Sequence, residues 1–422
     1  MTREAKLRTP PAAVVDNLNG THDTAPRHVD CIVGARPNFV KIAPIIRALR
    51  EQDGLVVRLI HTGQHYDITM NAVFFEELDI PGADINLEVG SGTGTEQTAR
   101  IMLGLEPVLV ARRPDLVLVV GDVNSTLAAA LVAAKLNIPI AHVEAGLRSF
   151  DRTMPEEINR LVTDRLADLL FVTERRGIDN LIKEGLHPER VKFVGNVMID
   201  TVYACLDRAV PAPKTLAEVG ANADFINAAM ETGFGFVTLH RPSNVDDPVK
   251  LKLLVEALVE VARKIRLVFP LHPRTRAKIV NAGLDRLHSE SGIVTTSPLS
   301  YLRALGLMRE AKLAITDSGG VQEETTALGV PCLTVRDNTE RPATLEEGTN
   351  LLVGTSPAAL MPAVEDIIAT GGKTGRIPAL WDGKAAIRIA QHVRAFLNVE
   401  QGCARPIRHR PETDPLESNT CG

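Results

Sequence analysis

The chain reads as an α/β protein of two doubly wound, Rossmann-like domains facing each other across a cleft. Three observations predict this. Short β-branched runs alternate with helical patterns, as βαβ units with parallel sheets require. Each half carries enough such runs for a sheet of its own. At 422 residues the chain is also long enough for two real cores.

The elements follow in order. Residues 1–27 lack the continuous apolar core of a signal peptide and read as a disordered extension. A buried strand is expected over 29–35, followed by Arg36-Pro-Asn-Phe-Val-Lys41 and an apolar helical run from Ile42 to Leu49. Pro37 and Pro44 suit only loops or first helical turns, so a helix is expected to restart near Ala43. Arg36 and Lys41 would then flank its N-terminus, a place suited to phosphate or carboxylate. Further strands are expected over 56–61, 116–120, 138–143, 169–173, 191–194, 234–239, 266–271, 292–296, 312–316 and 331–335. The joint is placed after Gly195-Asn196, where a fresh helical run leads to Pro211 and Pro213. This gives a first domain over 28–197, a second over 198–383, a helix over 384–400 returning to the first, and a Pro-rich tail over 401–422.

Composition points to a cytoplasmic enzyme. Lys plus Arg total 47 and Asp plus Glu 52, a net charge of −5, which argues against a general nucleic-acid surface but not against a local anion site. The five cysteines are scattered, and Cys31 and Cys332 fall inside strand patterns as small core residues. No metal-ligand spacing appears, and no apolar run reaches transmembrane length. Gly90-Ser-Gly92-Thr-Gly94 is not a dinucleotide fingerprint, and Gly372-Lys373-Thr374 lacks the leading glycine of a phosphate loop, Ile367 standing there instead.

The chemistry concentrates at strand ends, where ligands of such folds sit. After the run Lys312 to Thr316, Ser318-Gly319-Gly320 opens a helix at once, offering close backbone approach and free amides to an anion. About twenty residues later comes Arg341. A hydroxyl, a glycine pair at a helix start and an arginine suit a diphosphate. Val117-Leu-Val-Val-Gly-Asp122 ends a strand in an acid that either caps the next helix or works in a site. The next strand ends in His142-Val-Glu144-Ala-Gly-Leu-Arg148. Then Pro155-Glu156-Glu157-Ile-Asn-Arg160 starts a helix with two acids in its first turn, where the dipole alone would also favour them. His240 and His272 close two strands of the second half.

This ordered set of motifs resembles the non-hydrolysing UDP-N-acetylglucosamine 2-epimerases, over roughly residues 29–400. It comprises G-A-R-P-N-F-V-K-I-A-P, H-T-G-Q-H-Y-D, G-D-V-N-S-T, H-V-E-A-G-L-R, P-E-E-I-N-R, L-H-R-P-S-N-V, D-S-G-G-V-Q-E-E and T-E-R-P. The resemblance implies the two-domain glycosyltransferase-B fold, a homodimer, a UDP-sugar substrate and no cofactor. It implies Asp122, Glu144 and Glu156 as essential carboxylates, with acid and base left unassigned, and His240 facing the phosphates. Arg36, Lys41, Arg160 and His272 would contact substrate. Ser318, Gly319, Gly320 and Arg341 would bind diphosphate, and Glu324 would hold the ribose.

Some positions depart from that pattern. Ala304 stands where a phenylalanine is expected near the uracil, and the 149–154 loop is shorter than in many relatives. Gln64 and His65 keep a pair that some relatives use for an activating second substrate, but Tyr66 replaces the arginine common beside it. Alternatives are a hydrolysing epimerase, an epimerase of a diacetamido-uronic sugar, or a retaining glycosyltransferase.

Overall fold

The computed structural model describes residues 25–63, 73, 75–284 and 292–399. The extension up to residue 24, the tail from 400, Gln64 and His65 lie outside the described residues, as does the side chain of Arg36.

Two parallel sheets organise the chain. The first has seven strands in the order β3-β2-β1-β4-β5-β6-β7: β1 Arg27–Val33, β2 Leu55–His61, β3 Ile85–Asn86, β4 Leu116–Val120, β5 Ile140–Ala145, β6 Leu169–Val172 and β7 Val191–Phe193. The second has six in the order β10-β9-β8-β11-β12-β13: β8 Phe234–Thr238, β9 Arg266–Pro270, β10 Ile293–Thr296, β11 Leu313–Thr316, β12 Cys332–Thr334 and β13 Asn350–Leu352. Both orders reverse direction at one place, between β1 and β4 and between β8 and β11. Such reversals open a crevice at the carboxyl ends of the strands. Every expected strand forms, with ends shifted by one or two residues. The first begins at Arg27, inside the expected extension, and β3 and β13 were not expected.

The strands are apolar on both faces because helices cover both. Val29, Cys31 and Val33 of β1 point into a core built with Phe39, Ile42, Ile45 and Leu49, while Ile32 points into the opposite core. Cys31 and Cys332 are both fully buried. At the second crevice, Thr238 and Thr316 pair in register and their hydroxyls hydrogen-bond at 2.6 Å.

The expectation of a helix restarting at Ala43 is corrected: one helix runs unbroken over Arg36–Arg50, with Pro37 in its first turn and Pro44 inside it. Pro44 cannot donate to the carbonyl of Val40. Thr201 Oγ1 donates to that oxygen instead, at 2.5 Å, from the helix Val197–Cys205. Lys41 therefore sits within the helix rather than flanking its start.

The final helix, Ala385–Val399, packs Ile389, Ala390, Val393 and Leu397 into the same core as β1. Asp200 fixes its start by accepting from the amides of Ala385 (3.1 Å) and Ala386 (2.7 Å). Trp381 Nε1 donates to Thr173 O at 3.0 Å, joining the approach to this helix to the loop after β6.

Candidate functional site

The first crevice presents carboxylates. Asp122, just beyond β4, does not cap the helix that follows, whose N-cap is Val123. It accepts instead from Arg160 Nη1 at 2.5 Å. Arg160 is almost fully buried, and its Nη2 also donates to Glu157 Oε2 at 2.5 Å. The two first-turn acids of Pro155–Leu166 therefore differ, because neighbours on a helix face directions about 100° apart. Glu157 turns inward and tethers the preceding loop, accepting from Ser149 N (3.0 Å), Ser149 Oγ (3.0 Å) and Phe150 N (3.1 Å). Burial alone would raise its carboxyl, but Ser149 and Arg160 outweigh that and hold it below the ordinary value. Glu156 is half-buried, and its side chain makes no hydrogen bond or ion pair with a described residue.

Glu144 occupies an unusual place at the end of β5. Its φ is 73°, a left-handed conformation that side chains other than glycine rarely adopt, and the β5–β6 register slips between Val143 and Ala145. Strain of this kind persists only where the surroundings over-determine it. His142 supplies part of that hold. Its Nε2 donates to Gly121 O at 2.8 Å, and its Nδ1 meets Asp164 Oδ1 at 2.6 Å. Asp164 also accepts from Gly146 N (3.0 Å) and pairs with Arg148 (2.7 Å). Burial would raise the Asp164 carboxyl, yet His142 and Arg148 keep it below its usual range. The bulge aims Glu144 at Lys41, whose Nζ donates to Glu144 Oε2. Gly121 packs on this pair at φ 70°, and a Cβ there would stand 3.3 Å from the Glu144 carboxylate.

The second crevice presents donors. Buried Asp317 ties down the loop after β8, accepting from the amides of His240 (3.0 Å) and Arg241 (2.9 Å) and from Asn244 Nδ2 (3.1 Å). Burial would raise its carboxyl, but His240 and these donors hold it below normal. His240 Nδ1 lies 3.2 Å from Asp317 Oδ1, and its half-exposed ring is 6.0 Å from that of His272. The helix Gly319–Leu328 follows at once, and Ser318 gives it no side-chain cap. Its first amides therefore have no side-chain cap, and a helix start of this kind suits an anion. Glu324 faces Tyr301, and burial pushes its carboxyl up to about 7.

One chain of charges crosses between the two sheets. From Lys41 and Glu144 it runs to Arg341, whose Nη2 is 3.5 Å from Glu144 Oε1. Arg341 Nε lies 3.0 Å from Glu323 Oε1, which also accepts from Asn196 Nδ2 at 2.9 Å. Arg341 is 5% exposed, so it is no surface ion pair. Burial works against its charge, but Glu323 and Glu144 raise its pKa further still. Burial pushes the Glu323 carboxyl up, against the pull of Arg341. The chain is charge-paired but incompletely hydrogen-bonded. Arg341 Nη1 and Glu323 Oε2 are buried with no hydrogen-bond partner among the described residues. Unsatisfied buried groups are rare in native structures.

The structure thus brings Lys41, Glu144 and Arg341 together, pairs Asp122 with Arg160, and puts His240, His272 and Ser318–Gly320 at the second crevice. Glu324 sits apart, against Tyr301. Sequence reasoning missed Asp317, Glu323, Arg336 and Glu340. Arg336 offered a signal: an arginine directly after an apolar strand is a candidate for burial, and this one is 4% exposed. Glu323 offered little, since either acid of V-Q-E-E could have turned inward. Among the described residues, no cluster of His, Cys, Asp and Glu is arranged for a metal ion, and no helix is long and apolar enough to cross a membrane.

Known proteins share this fold and much of this sequence. The family profile described as UDP-N-acetylglucosamine 2-epimerase matches residues 47–394. The UDP-N-acetylglucosamine 2-epimerase of Methanocaldococcus jannaschii is 44% identical over 339 residues, 79% of this chain and 90% of that protein. The UDP-2,3-diacetamido-2,3-dideoxy-D-glucuronate 2-epimerase of Pseudomonas aeruginosa is 41% identical over 372 residues, 86% of this chain and 98% of that one. The crystal structure of the Methanocaldococcus jannaschii UDP-GlcNAc 2-epimerase in complex with UDP-GlcNAc and UDP superposes with a TM-score of 0.76 at 40% identity, covering 87% of this chain and 99% of that chain. That of the Neisseria meningitidis UDP-GlcNAc 2-epimerase bound to UDP-GlcNAc also gives 0.76, at 30% identity, covering 87% and 100%. With the expected glycosyltransferase-B fold in place and the match running through both sheets, the chain belongs to the UDP-N-acetylglucosamine 2-epimerase family.

Proposed function

We propose that this chain interconverts UDP-N-acetylglucosamine and UDP-N-acetylmannosamine without hydrolysing either. The charge chain Lys41–Glu144–Arg341–Glu323 carries the reading, because it sets a proton-transfer carboxylate against a cation suited to a leaving diphosphate. The proton on carbon 2 of the sugar is weakly acidic and has no neighbouring ketone. Elimination answers this: UDP leaves carbon 1 as the proton departs, giving 2-acetamidoglucal. UDP then adds back after protonation from the other face.

Asp122, Glu144 and Glu156 are the carboxylates proposed for these transfers. Arg341, His240, Arg36, the Ser318 hydroxyl and the amides of Gly319 and Gly320 would stabilise charge on the departing diphosphate. Lys41, Arg160 and His272 would contact substrate, and Glu324 the ribose. Glu144, Lys41 and Arg341 are all nearly inaccessible to solvent, which supports recapture of the glucal by UDP rather than by water. A cytoplasmic homodimer completes the proposal. Leu103 and Val110, 73% and 63% exposed on the helix Gly94–Ala111, offer an apolar face for pairing.

Proton NMR of the purified protein with UDP-N-acetylglucosamine alone in heavy water tests the reading. The N-acetylmannosamine isomer should appear with deuterium at carbon 2 and no free UDP accumulating. Release of UDP with free sugar would indicate hydrolysis, and no reaction without an acceptor would favour a glycosyltransferase. A second reading, epimerisation of a UDP-diacetamido-uronic sugar, rests on the Pseudomonas aeruginosa relative, matched over 98% of its length. Offering both nucleotide sugars in competition would separate the two.

A further inference from the structure

Glu340, immediately before Arg341, has no part in the roles above. It is 3% exposed and bridges two guanidinium groups, accepting from Arg336 Nη2 at 2.6 Å and Arg241 Nη2 at 3.2 Å. Arg336 follows β12 and Arg241 follows β8, so the carboxylate gathers charge from two strand ends. Burial alone would raise its pKa, but Arg336, Arg241 and Arg341 together hold it far below the ordinary carboxylate range.

Its position matters as much as its partners. A Cβ placed on Gly319 would stand 2.9 Å from Glu340 Oε1, so the carboxylate rests against the first residue of the uncapped helix. Helix amides and dipole favour an anion there. Guanidinium capacity also remains nearby: Arg336 Nη1 and Arg341 Nη1 are buried without a hydrogen-bond partner among the described residues.

We propose that Glu340 is an internal counter-anion of the diphosphate-binding turn. As a positioning residue it gathers Arg241 and Arg336 beside Ser318–Gly320 and limits how tightly a nucleoside diphosphate is held there. The inference rests on the functional reading above, which puts a diphosphate at that turn. A diphosphate arriving there meets cations already assembled, and meets repulsion from the carboxylate that assembled them. The grip is firm enough to stabilise a leaving group and weak enough to return it to carbon 1.

Calorimetric titration of UDP into the wild type, Glu340→Gln and Glu340→Asp, at low and moderate salt, tests this alongside steady-state kinetics and thermal unfolding. Glutamine keeps the shape and an acceptor oxygen but removes the charge. It should bind UDP roughly tenfold tighter, with a steeper salt dependence, and show a lower KM together with a lower kcat. Aspartate keeps the charge for folding but draws it back from Gly319, so a gain of about threefold is expected. Unchanged or weaker UDP binding in whichever variant unfolds like the wild type would overturn the proposal and leave Glu340 a packing residue. A wild type that binds no UDP would instead overturn the functional reading, and this inference with it.

Discussion

The two crevices are built alike and equipped differently. Each lies where a doubly wound sheet reverses order, β1 against β4 in the first and β8 against β11 in the second. In the first, Arg160 is enclosed together with the acids Glu144, Glu157 and Asp164, while Asp122 and Glu156 remain partly open. In the second, the acids are the buried scaffold. Asp317, Glu323 and Glu340 tie down loops and guanidinium groups, and donors are left over at Arg336, Arg341 and the helix start. On the proposed reading, one topology serves proton transfer on one side and anion binding on the other. What differs is which groups the packing leaves open: the carboxylates of Asp122 and Glu156 in the first crevice, the uncapped helix start in the second. A site must be argued from its side chains, since the fold alone does not assign it.

The division breaks most visibly if the acids are neutralised. Asp122→Asn, Glu144→Gln and Glu156→Gln should each lower turnover by at least about a hundredfold, the usual scale for acid–base groups. Steady-state assays with UDP-N-acetylglucosamine check this, and a variant with near-normal turnover has only a structural acid at that position.

Arg341→Ala attacks the other side. Loss of charge-assisted contacts worth roughly 1.5–3 kcal/mol should weaken UDP binding about tenfold or more. Turnover should fall too, because charge on the diphosphate grows as its bond to carbon 1 breaks. Unchanged affinity and turnover would show that the diphosphate does not bind in the second crevice.

A smaller effect sharpens the comparison within the first crevice. Asp164 holds His142 and Arg148 beneath the Glu144 bulge. Asp164→Asn should destabilise the fold by about 3 kcal/mol, as broken buried pairs do, and slow turnover through misplacement of Glu144. UDP affinity should stay unchanged in the folded protein, which calorimetry below the unfolding temperature would read.

The smallest effect lies where the two sheets meet. Glu174, after β6, accepts from Ala343 N at 3.3 Å, next to Arg341. Burial raises its carboxyl from 4.5 to about 7, against the pull of Arg341. The folded state therefore binds a proton more readily than the unfolded one. That contribution to stability is full below about 4.5 and is lost as pH rises toward 7. Glu174→Gln should unfold a degree or two above wild type at pH 8, roughly, and level with it at pH 5. A flat difference across that range would place the pH dependence elsewhere.

Much of this was legible in the residue order, for local reasons. Strand runs, the glycine pair after Asp317 and acids at strand ends are short-range patterns, and the matching elements form. Failures came where distant residues decide. Pro44 reads as a helix break until Thr201, far along the chain, donates to the carbonyl that proline leaves unserved. Glu156 and Glu157 are indistinguishable as neighbours, yet the rotation of their helix buries one and leaves the other half-open. No local rule predicts that Glu144 adopts a left-handed backbone, because the network of His142 and Asp164 imposes it. Arg341 was found, but its two carboxylate partners come from opposite sheets and could not be paired by spacing.

The division of labour is tested most directly by titrating UDP into Glu144→Gln beside Arg341→Ala. The two side chains are near neighbours, so a shared structural role would make the variants behave alike. If the first crevice moves protons and the second holds the leaving group, Glu144→Gln keeps UDP affinity within about threefold of wild type while Arg341→Ala loses about tenfold or more. Equal losses in both would contradict the account.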